Sequence, residues 1–404
     1  MNIKPDKFIK ELRYTISRYL RKAASRISPS GADSGISYPD IGSDRLPASS
    51  PKALIIYAVT GIDRYVRGVA LDDPIFNKHT IYWESVEMVK LLNKAGYIVD
   101  FCDVWKPFRT DWNKYSIIID SSNNLKDIGS APGSKKVYWA TGNHWLQWNR
   151  AELQRIQWFK ERTGRVIPAN RQQPSILSDE HTDYLTYFGT DLQISSFSPK
   201  PEKIQINISS CSVPPYQKKN IEQTRNKFLL ISGGGALHKG IDLVIETFCK
   251  IPEAELFIVA NLKEEPKFYE WAKPILAKHK NIHELGRYDL TSKDFDSLAD
   301  QCIGTVYLSA AEGGPGSIAR VLHNGLIPIV TPTSFVRAEH LGYQVQGNSA
   351  KEIVGNTINR IRQVMNLSEK ELLDKSDAVR EFAQKYHTRA AFSKSFSDFI
   401  EKLL

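Results

Sequence analysis

Between Ala53 and Val330 the chain repeats one rhythm. A short apolar run rich in Ile, Val and Leu is followed by a turn and then by a longer segment with apolar positions at helical spacing. The runs are Ala53–Ala58, Ile98–Val104, Tyr115–Asp120 and Lys136–Ala140, then Phe228–Ser232, Glu255–Ala260, Ile282–Leu285, Ile303–Leu308 and Ile327–Val330. Helical spacing fills Thr80–Ala95, Trp145–Arg162, Ile241–Lys250, Pro266–His279, Ser292–Ala299 and Ser317–Asn324. Strands apolar on both faces must be covered on both sides, and parallel neighbours need a crossover of about a dozen residues or more. The rhythm therefore predicts α/β architecture with doubly wound parallel sheets.

The series is interrupted once. Residues 209–226 are polar, with paired prolines at Pro214 and Pro215. With 404 residues, too many for one ordinary core, this break divides the chain into two Rossmann-like units at 52–210 and 227–385, joined by a linker at 211–226. Residues 386–404 read as a final helix packing back on the N-terminal domain. Further short strands are expected at Tyr184–Phe188 and Lys203–Ile208, and a long loop containing Gly61 and Gly68 after the first strand. Residues 28–51, rich in Ser, Gly, Pro and Asp, read as a flexible tether.

Charge decides what binds where. The formal charge is +9, but residues 1–27 hold eight basic residues against Asp6 and Glu11 and so carry +6 of it. The remainder is close to neutral and has no basic stripe interleaved with aromatics, which argues against nucleic acid as a partner. In the basic segment Phe8, Ile9, Leu12, Ile16, Tyr19, Leu20, Ala23 and Ile27 share one helical face. An amphipathic helix of this kind suits either peripheral contact of residues 5–27 with an anionic membrane surface or packing on protein. The four cysteines are widely spaced, which fits a reducing cytoplasm and no metal site.

Two glycine-rich turns follow strands of the second series. The first is Ser232-Gly233-Gly234-Gly235-Ala236-Leu237-His238-Lys239-Gly240; the second runs from Ser309 through Glu312, Gly313, Gly314, Pro315, Gly316 and Ser317 to Arg320. Both are expected at the carboxyl ends of strands, where open sheets bind ligands. Exposed N–H groups and Lys239 there suit phosphate, and Glu312 places a carboxylate beside them.

These residues resemble the retaining "group 1" nucleotide-sugar glycosyltransferases of the GT-B fold. Gly233 through Lys239-Gly240 matches the family's G-x-x-x-x-x-K-G turn, and Glu312 fills the first place of E-x7-E, with Gly325 at the glycine that follows it. Asn281–Tyr288 resembles the strand and turn beside the nucleotide base, and Val137–His144 resembles the strand and histidine facing the donor sugar. Two positions depart from the pattern: Arg320 stands where the second, ribose-holding glutamate is usual, and Gly234 where an arginine is usual. The first departure implies either an unusual donor, with Arg320 meeting a phosphate or a base carbonyl, or a domain that has lost donor binding.

The resemblance implies two domains facing a cleft and transfer of a sugar, with retention, from a nucleotide-sugar to a glycan or lipid-linked acceptor. It implies surface-polysaccharide synthesis of bacterial type at the cytoplasmic face of the membrane, with no cofactor beyond the nucleotide-sugar co-substrate. It assigns catalysis to Glu312, Lys239 and His144. Donor binding goes to Gly233, Gly234, Gly235, Gly286, Arg287, Tyr288, Gly313, Gly314, Pro315, Gly316, Ser317 and Arg320. On the acceptor side Arg64, Arg67, His79, Thr80, Glu84 and Asn149 are the candidates. A catalytically silent glycosyltransferase-like subunit and a GT-B epimerase or phosphorylase remain as alternative readings.

Overall fold

The computed structural model describes residues 36–404 apart from 129, 130 and 132. The amphipathic segment 1–27 lies outside the described residues.

Two sheets form, one in each half. The first has the order β1-β3-β2-β4-β5-β6-β7, from β1 (Tyr38–Ile41), β2 (Lys52–Tyr57), β3 (Ile98–Asp103), β4 (Tyr115–Asp120), β5 (Lys135–Trp139), β6 (Tyr184–Tyr187) and β7 (Glu202–Gln205). The second has the order β10-β9-β8-β11-β12-β13, from β8 (Lys227–Ile231), β9 (Glu255–Val259), β10 (Ile282–Glu284), β11 (Gly304–Tyr307), β12 (Ile327–Val330) and β13 (Tyr343–Gln344). Every pairing except β1 with β3 is parallel. The central strands β3, β11 and β12 are buried along their whole length, as apolar runs covered on both faces must be. Strand order reverses between β2 and β4 in one sheet and between β8 and β11 in the other, so each has a switch point, and the two glycine-rich turns follow β8 and β11.

The segment expected to be a tether contributes structure. Tyr38–Ile41 pairs antiparallel with β3, the Asp40 N–H donates to Asp100 Oδ1 at 2.8 Å, and the Tyr38 hydroxyl donates to Asp63 at 2.7 Å. Composition hides an edge strand of four residues, because long-range partners rather than local propensity hold it. The expected loop after β2 likewise opens with a short helix, Thr60–Val66.

The last helix, Arg389–Leu403, packs on the N-terminal half. Phe392, Phe396, Phe399, Ile400 and Leu403 enter the core formed by β2, β3, β5 and helix Thr80–Lys94, with Phe392 edge-on to Trp83 and Phe396 edge-on to Trp139. Each buried side chain of this size contributes about 1.5–3 kcal/mol, so this return of the chain binds the halves together. Helix Trp145–Thr163 adds polar pins: Arg162 pairs with Asp242 and Glu246, and Arg155 Nη2 donates to Leu308 O at 2.8 Å. Among the described residues no helix is long and apolar enough to cross a membrane.

Candidate functional site

The turn after β8 folds back on itself, with the Lys239 N–H donating to Gly235 O at 2.8 Å and the Ile241 N–H to Ala236 O at 2.9 Å. Gly240 ends it with φ +71°, and a Cβ there would stand 2.3 Å from Leu308 O. Only glycine permits that approach. The turn therefore lies against the end of β11, which delivers Lys239 beneath Glu312.

Lys239 and Glu312 form a buried ion pair through Glu312 Oε1. The same oxygen accepts from the Tyr307 hydroxyl at 3.0 Å and the Ser309 hydroxyl at 2.7 Å, and Lys239 Nζ also donates to Tyr307 Oη at 2.9 Å. Burial works against the charge on Glu312, but the Lys239 ammonium and these donors outweigh it and hold the carboxyl below its usual range. Burial likewise lowers the Lys239 pKa, with Glu312 opposing the shift. Glu312 Oε2 has no partner among the described residues.

This pair lines a cavity of about 330 Å³ between the domains. The C-terminal domain contributes Gly233, Leu290, Tyr307 and the stretch from Gly314 to Ser317; the N-terminal domain contributes Tyr57, Lys78, His79, Thr80, Ile81, Glu84 and Thr141. The backbone N–H groups of Gly233, Gly316 and Ser317 meet no acceptor among the described residues. Exposed Lys78 adds a cation to the same cavity. Oriented N–H groups and a lysine around one cavity receive an anion well. Glu84, across from Glu312, is buried; its Oε1 accepts from the N–H and the hydroxyl of Ser209 at 2.9 and 2.7 Å. Burial pushes its carboxyl up to about 7 despite those two donors.

Several expected site residues have other work. Arg320 is wholly buried away from the cavity: Nε donates to Leu290 O at 2.9 Å, Nη1 to Asn324 Oδ1 at 2.7 Å, Nη2 pairs with Asp296, and the guanidinium lies 5.3 Å from the Phe295 ring. It holds helix Lys293–Asp300 and sets Leu290 against the cavity, and all three of its guanidinium nitrogens bond to protein, outside the cavity lining. His144 does not line the cavity either. It starts helix Trp145–Thr163, packs on Trp145 and Phe197, and has Nε2 3.9 Å from Asp179; Thr141 reaches the cavity from the same segment.

The Gly235 N–H is taken, together with that of Ala236, by Glu265 Oε1 at 2.7 and 2.9 Å, so that part of the turn is closed to an external anion. Gly234 has open space where a side chain would stand. At Gly313 a Cβ would meet Thr141 O at 2.4 Å, so this glycine serves the close approach of the two domains. Gly286 takes φ +75° in the turn after β10; Arg287 is exposed and bound to Glu264 at 2.6 Å, and Tyr288 packs near Phe295. Of that loop only Leu290 reaches the cavity.

On the acceptor side His79, Thr80 and Glu84 line the cavity, whereas Arg64 and Arg67 are exposed elsewhere, Arg67 paired with Asp63 at 2.9 Å. Asn149 is spent on the backbone of Gln173, at 2.8 and 2.7 Å. Tyr57, Lys78 and Thr141 were missed. Lys78 carried a signal: it directly precedes the N-cap His79 of helix Thr80–Lys94, and a cation at the positive end of a helix is unfavourable unless an anion joins it.

No family model and no curated protein matches this sequence. Solved structures do match the fold. HepE from Anabaena, in complex with UDP and glucose, has a TM-score of 0.53 at 10% identity, covering 87% of this chain and 99% of that one. WaaG, a glycosyltransferase involved in lipopolysaccharide biosynthesis, has a TM-score of 0.51 at 14% identity over 86% and 99%. The pneumococcal O-GlcNAc transferase GtfA, in complex with UDP and GlcNAc, is matched over 71% of this chain but only 56% of its own length, at 14% identity and a TM-score of 0.45, which is too loose to argue from. At such identities the likeness establishes the fold alone.

Proposed function

We propose that this chain, which has the GT-B fold, is a glycosyltransferase that moves a sugar from a nucleotide-sugar to a glycan or lipid-linked acceptor. One observation carries the reading. Glu312, ionised by Lys239 and with Oε2 unpartnered, faces free N–H groups and Lys78 in an interdomain cavity at the switch point of the C-terminal sheet. HepE and WaaG, with glucose and UDP in the one and lipopolysaccharide synthesis in the other, support the substrate class.

As the glycosidic C–O bond breaks, its electron pair goes to the leaving phosphate oxygen and the sugar gains oxocarbenium character. The N–H groups of Gly233, Gly316 and Ser317, with Lys78, stabilise the phosphate by preorganised electrostatics. Glu312 Oε2 accepts from a sugar hydroxyl, and Thr80 and Glu84 position the acceptor. Retention follows when the acceptor hydroxyl attacks the face the phosphate leaves, its proton passing to that phosphate. The chain's own cations supply the charge stabilisation in this scheme. Residues 5–27 would hold the enzyme beside a lipid-linked acceptor at the cytoplasmic membrane face.

The test is calorimetric titration of the full chain with UDP-, GDP-, TDP- and CMP-sugars, followed by product analysis with and without anionic vesicles. One donor should bind, and Glu312→Ala should lower transfer more than tenfold, about 1.4 kcal/mol of barrier. Binding of no donor would sink the enzyme reading. It would favour the second reading, a silent glycosyltransferase-like subunit, which is motivated by the diversion of Arg320 into the core.

A further inference from the structure

Arg171 comes from the N-terminal domain and lies over the glycine-rich turn that follows β8. A Cβ at Gly235 would stand 2.6 Å from its Cγ and 2.8 Å from its Cδ, so the missing side chain of Gly235 is what lets the arginine stem cross the turn. Its backbone is fastened at both ends: the N–H donates to Glu152 Oε1 at 2.7 Å, and the carbonyl accepts from Trp148 Nε1 at 2.6 Å. Asn149 fixes the chain two residues on, through its hydrogen bonds with the Gln173 backbone. The guanidinium lies 5.3 Å from the centroid of the Trp148 ring, which also stacks on His238 of the turn. Helix Trp145–Thr163 thus commits Trp148, Asn149 and Glu152 to the position of one arginine.

The charged end of that arginine is left free. None of its donors forms a hydrogen bond or an ion pair among the described residues; Nε is buried, whereas Nη1 and Nη2 keep some exposure. The two carboxylates that touch this loop are taken up by N–H groups, Glu152 by those of Asn170 and Arg171, Glu265 by those of Gly235 and Ala236 and by the Asn170 amide. Lys239 is close by. Burial is the main cause that lowers its pKa, and the Arg171 charge adds to that shift, as it does for His238. Two cations therefore stand near one another, and only Lys239 has a carboxylate of its own, Glu312.

We propose that Arg171 is a phosphate-binding residue lent by the N-terminal domain, its guanidinium meeting a phosphate that the free N–H of Gly233 holds from the same turn. Two free Nη groups in a planar fork match a phosphate edge bidentately, which fixes orientation as a point charge does not. An anion there also relieves the repulsion between Arg171 and Lys239. Gly234 supplies no side chain, and the space where one would stand is open, so the turn itself does not block the approach. Because the arginine and the turn belong to different domains, the phosphate bridges the two halves. That this phosphate belongs to a nucleotide-sugar rests on the function proposed above; the anion site does not.

Calorimetric titration of the full chain, wild type, Arg171→Gln and Arg171→Lys, with inorganic pyrophosphate and with UDP, GDP, TDP and CDP tests it. Pyrophosphate and one of the nucleoside diphosphates should bind the wild type. Arg171→Gln should weaken both at least tenfold, and Arg171→Lys, which keeps the charge without the fork, should weaken them less. Both variants should unfold at the wild-type temperature, since the guanidinium gives up no hydrogen bond or ion pair. Wild-type affinity for pyrophosphate in Arg171→Gln would overturn the assignment, and so would an equal loss in both variants with a lowered unfolding temperature, the signature of a structural role. Pyrophosphate binding that depends on Arg171, with no nucleoside diphosphate bound, would sustain the anion site and remove the nucleotide-sugar reading. Binding of no probe by the wild type would overturn both.

Discussion

Glu312 and Glu84 face one cavity from opposite domains, both buried, and burial alone would push both toward the neutral form. They part company through their partners. Glu312 has a full ammonium on Oε1, supported by two hydroxyls. Glu84 has only the N–H and hydroxyl of Ser209, with Arg389 acting more weakly from a distance. The first carboxyl is held below its ordinary range and the second rises to about 7. One cleft thus presents a fixed anion on its C-terminal side and a carboxyl near its midpoint at neutral pH on the other, a difference set by neighbours rather than by residue type.

The contrast breaks most severely if the cation is removed. Lys239→Met leaves Glu312 buried without its counter-charge, which should cost about 3–5 kcal/mol of stability, read by denaturant unfolding at pH 7. Adding Glu312→Gln to that variant should recover most of the loss, because the uncompensated charge goes with it. A single variant as stable as the wild type would mean that Lys239 does not set the charge of Glu312.

The next effect is a dependence on pH. Because the folded-state pKa of Glu84 lies above the ordinary 4.5, folding favours its protonated form. That stabilising contribution is complete below pH 4.5 and is lost as pH rises through about 7. Glu84→Gln keeps an acceptor for Ser209 but cannot ionise, so its stability relative to wild type should grow by roughly 3 kcal/mol between pH 4.5 and pH 7. Parallel stability curves for the two proteins would show that Glu84 ionises normally.

The fold was legible because strand and helix periods are local. Tyr115–Asp120 and Ile327–Val330 lie where their apolar runs place them, and the two doubly wound sheets follow from the order of such runs. The meeting of Lys239 with Glu312 was half legible: the spacing of the turns suggested one site, but the pairing depends on Gly240 pressing on Leu308, a contact made across the sheet. What failed was direction. Arg320 lies on a helix next to the cleft, and whether its side chain faces ligand or core is decided by Asp296 and Leu290, far away in sequence. His144 lies outside the cavity lining for a similar reason, since its ring packs on Phe197, far away in sequence, and on Trp145. The β1 edge strand escaped notice because its partners lie in β3.

The finest test compares two hydroxyls. Ser309 donates to Glu312 and Ser209 to Glu84, each at 2.7 Å and each from a buried side chain. A hydrogen bond to a charged group contributes about 1.5–3 kcal/mol and one to a neutral group about 0.5–1.5. Ser309→Ala should therefore destabilise the protein at pH 7 by the larger amount and Ser209→Ala by the smaller. The Ser209 hydroxyl favours the ionised form of Glu84, so its loss should also carry the pH-dependent fall in stability to higher pH. Lowering the pH to 5 should shrink the Ser209→Ala cost further, because Glu84 is then neutral, while the Ser309→Ala cost persists as long as Lys239 keeps Glu312 ionised. Equal costs at both pH values would mean that the two carboxylates carry the same charge, and the distinction between the two sides of the cleft would fall.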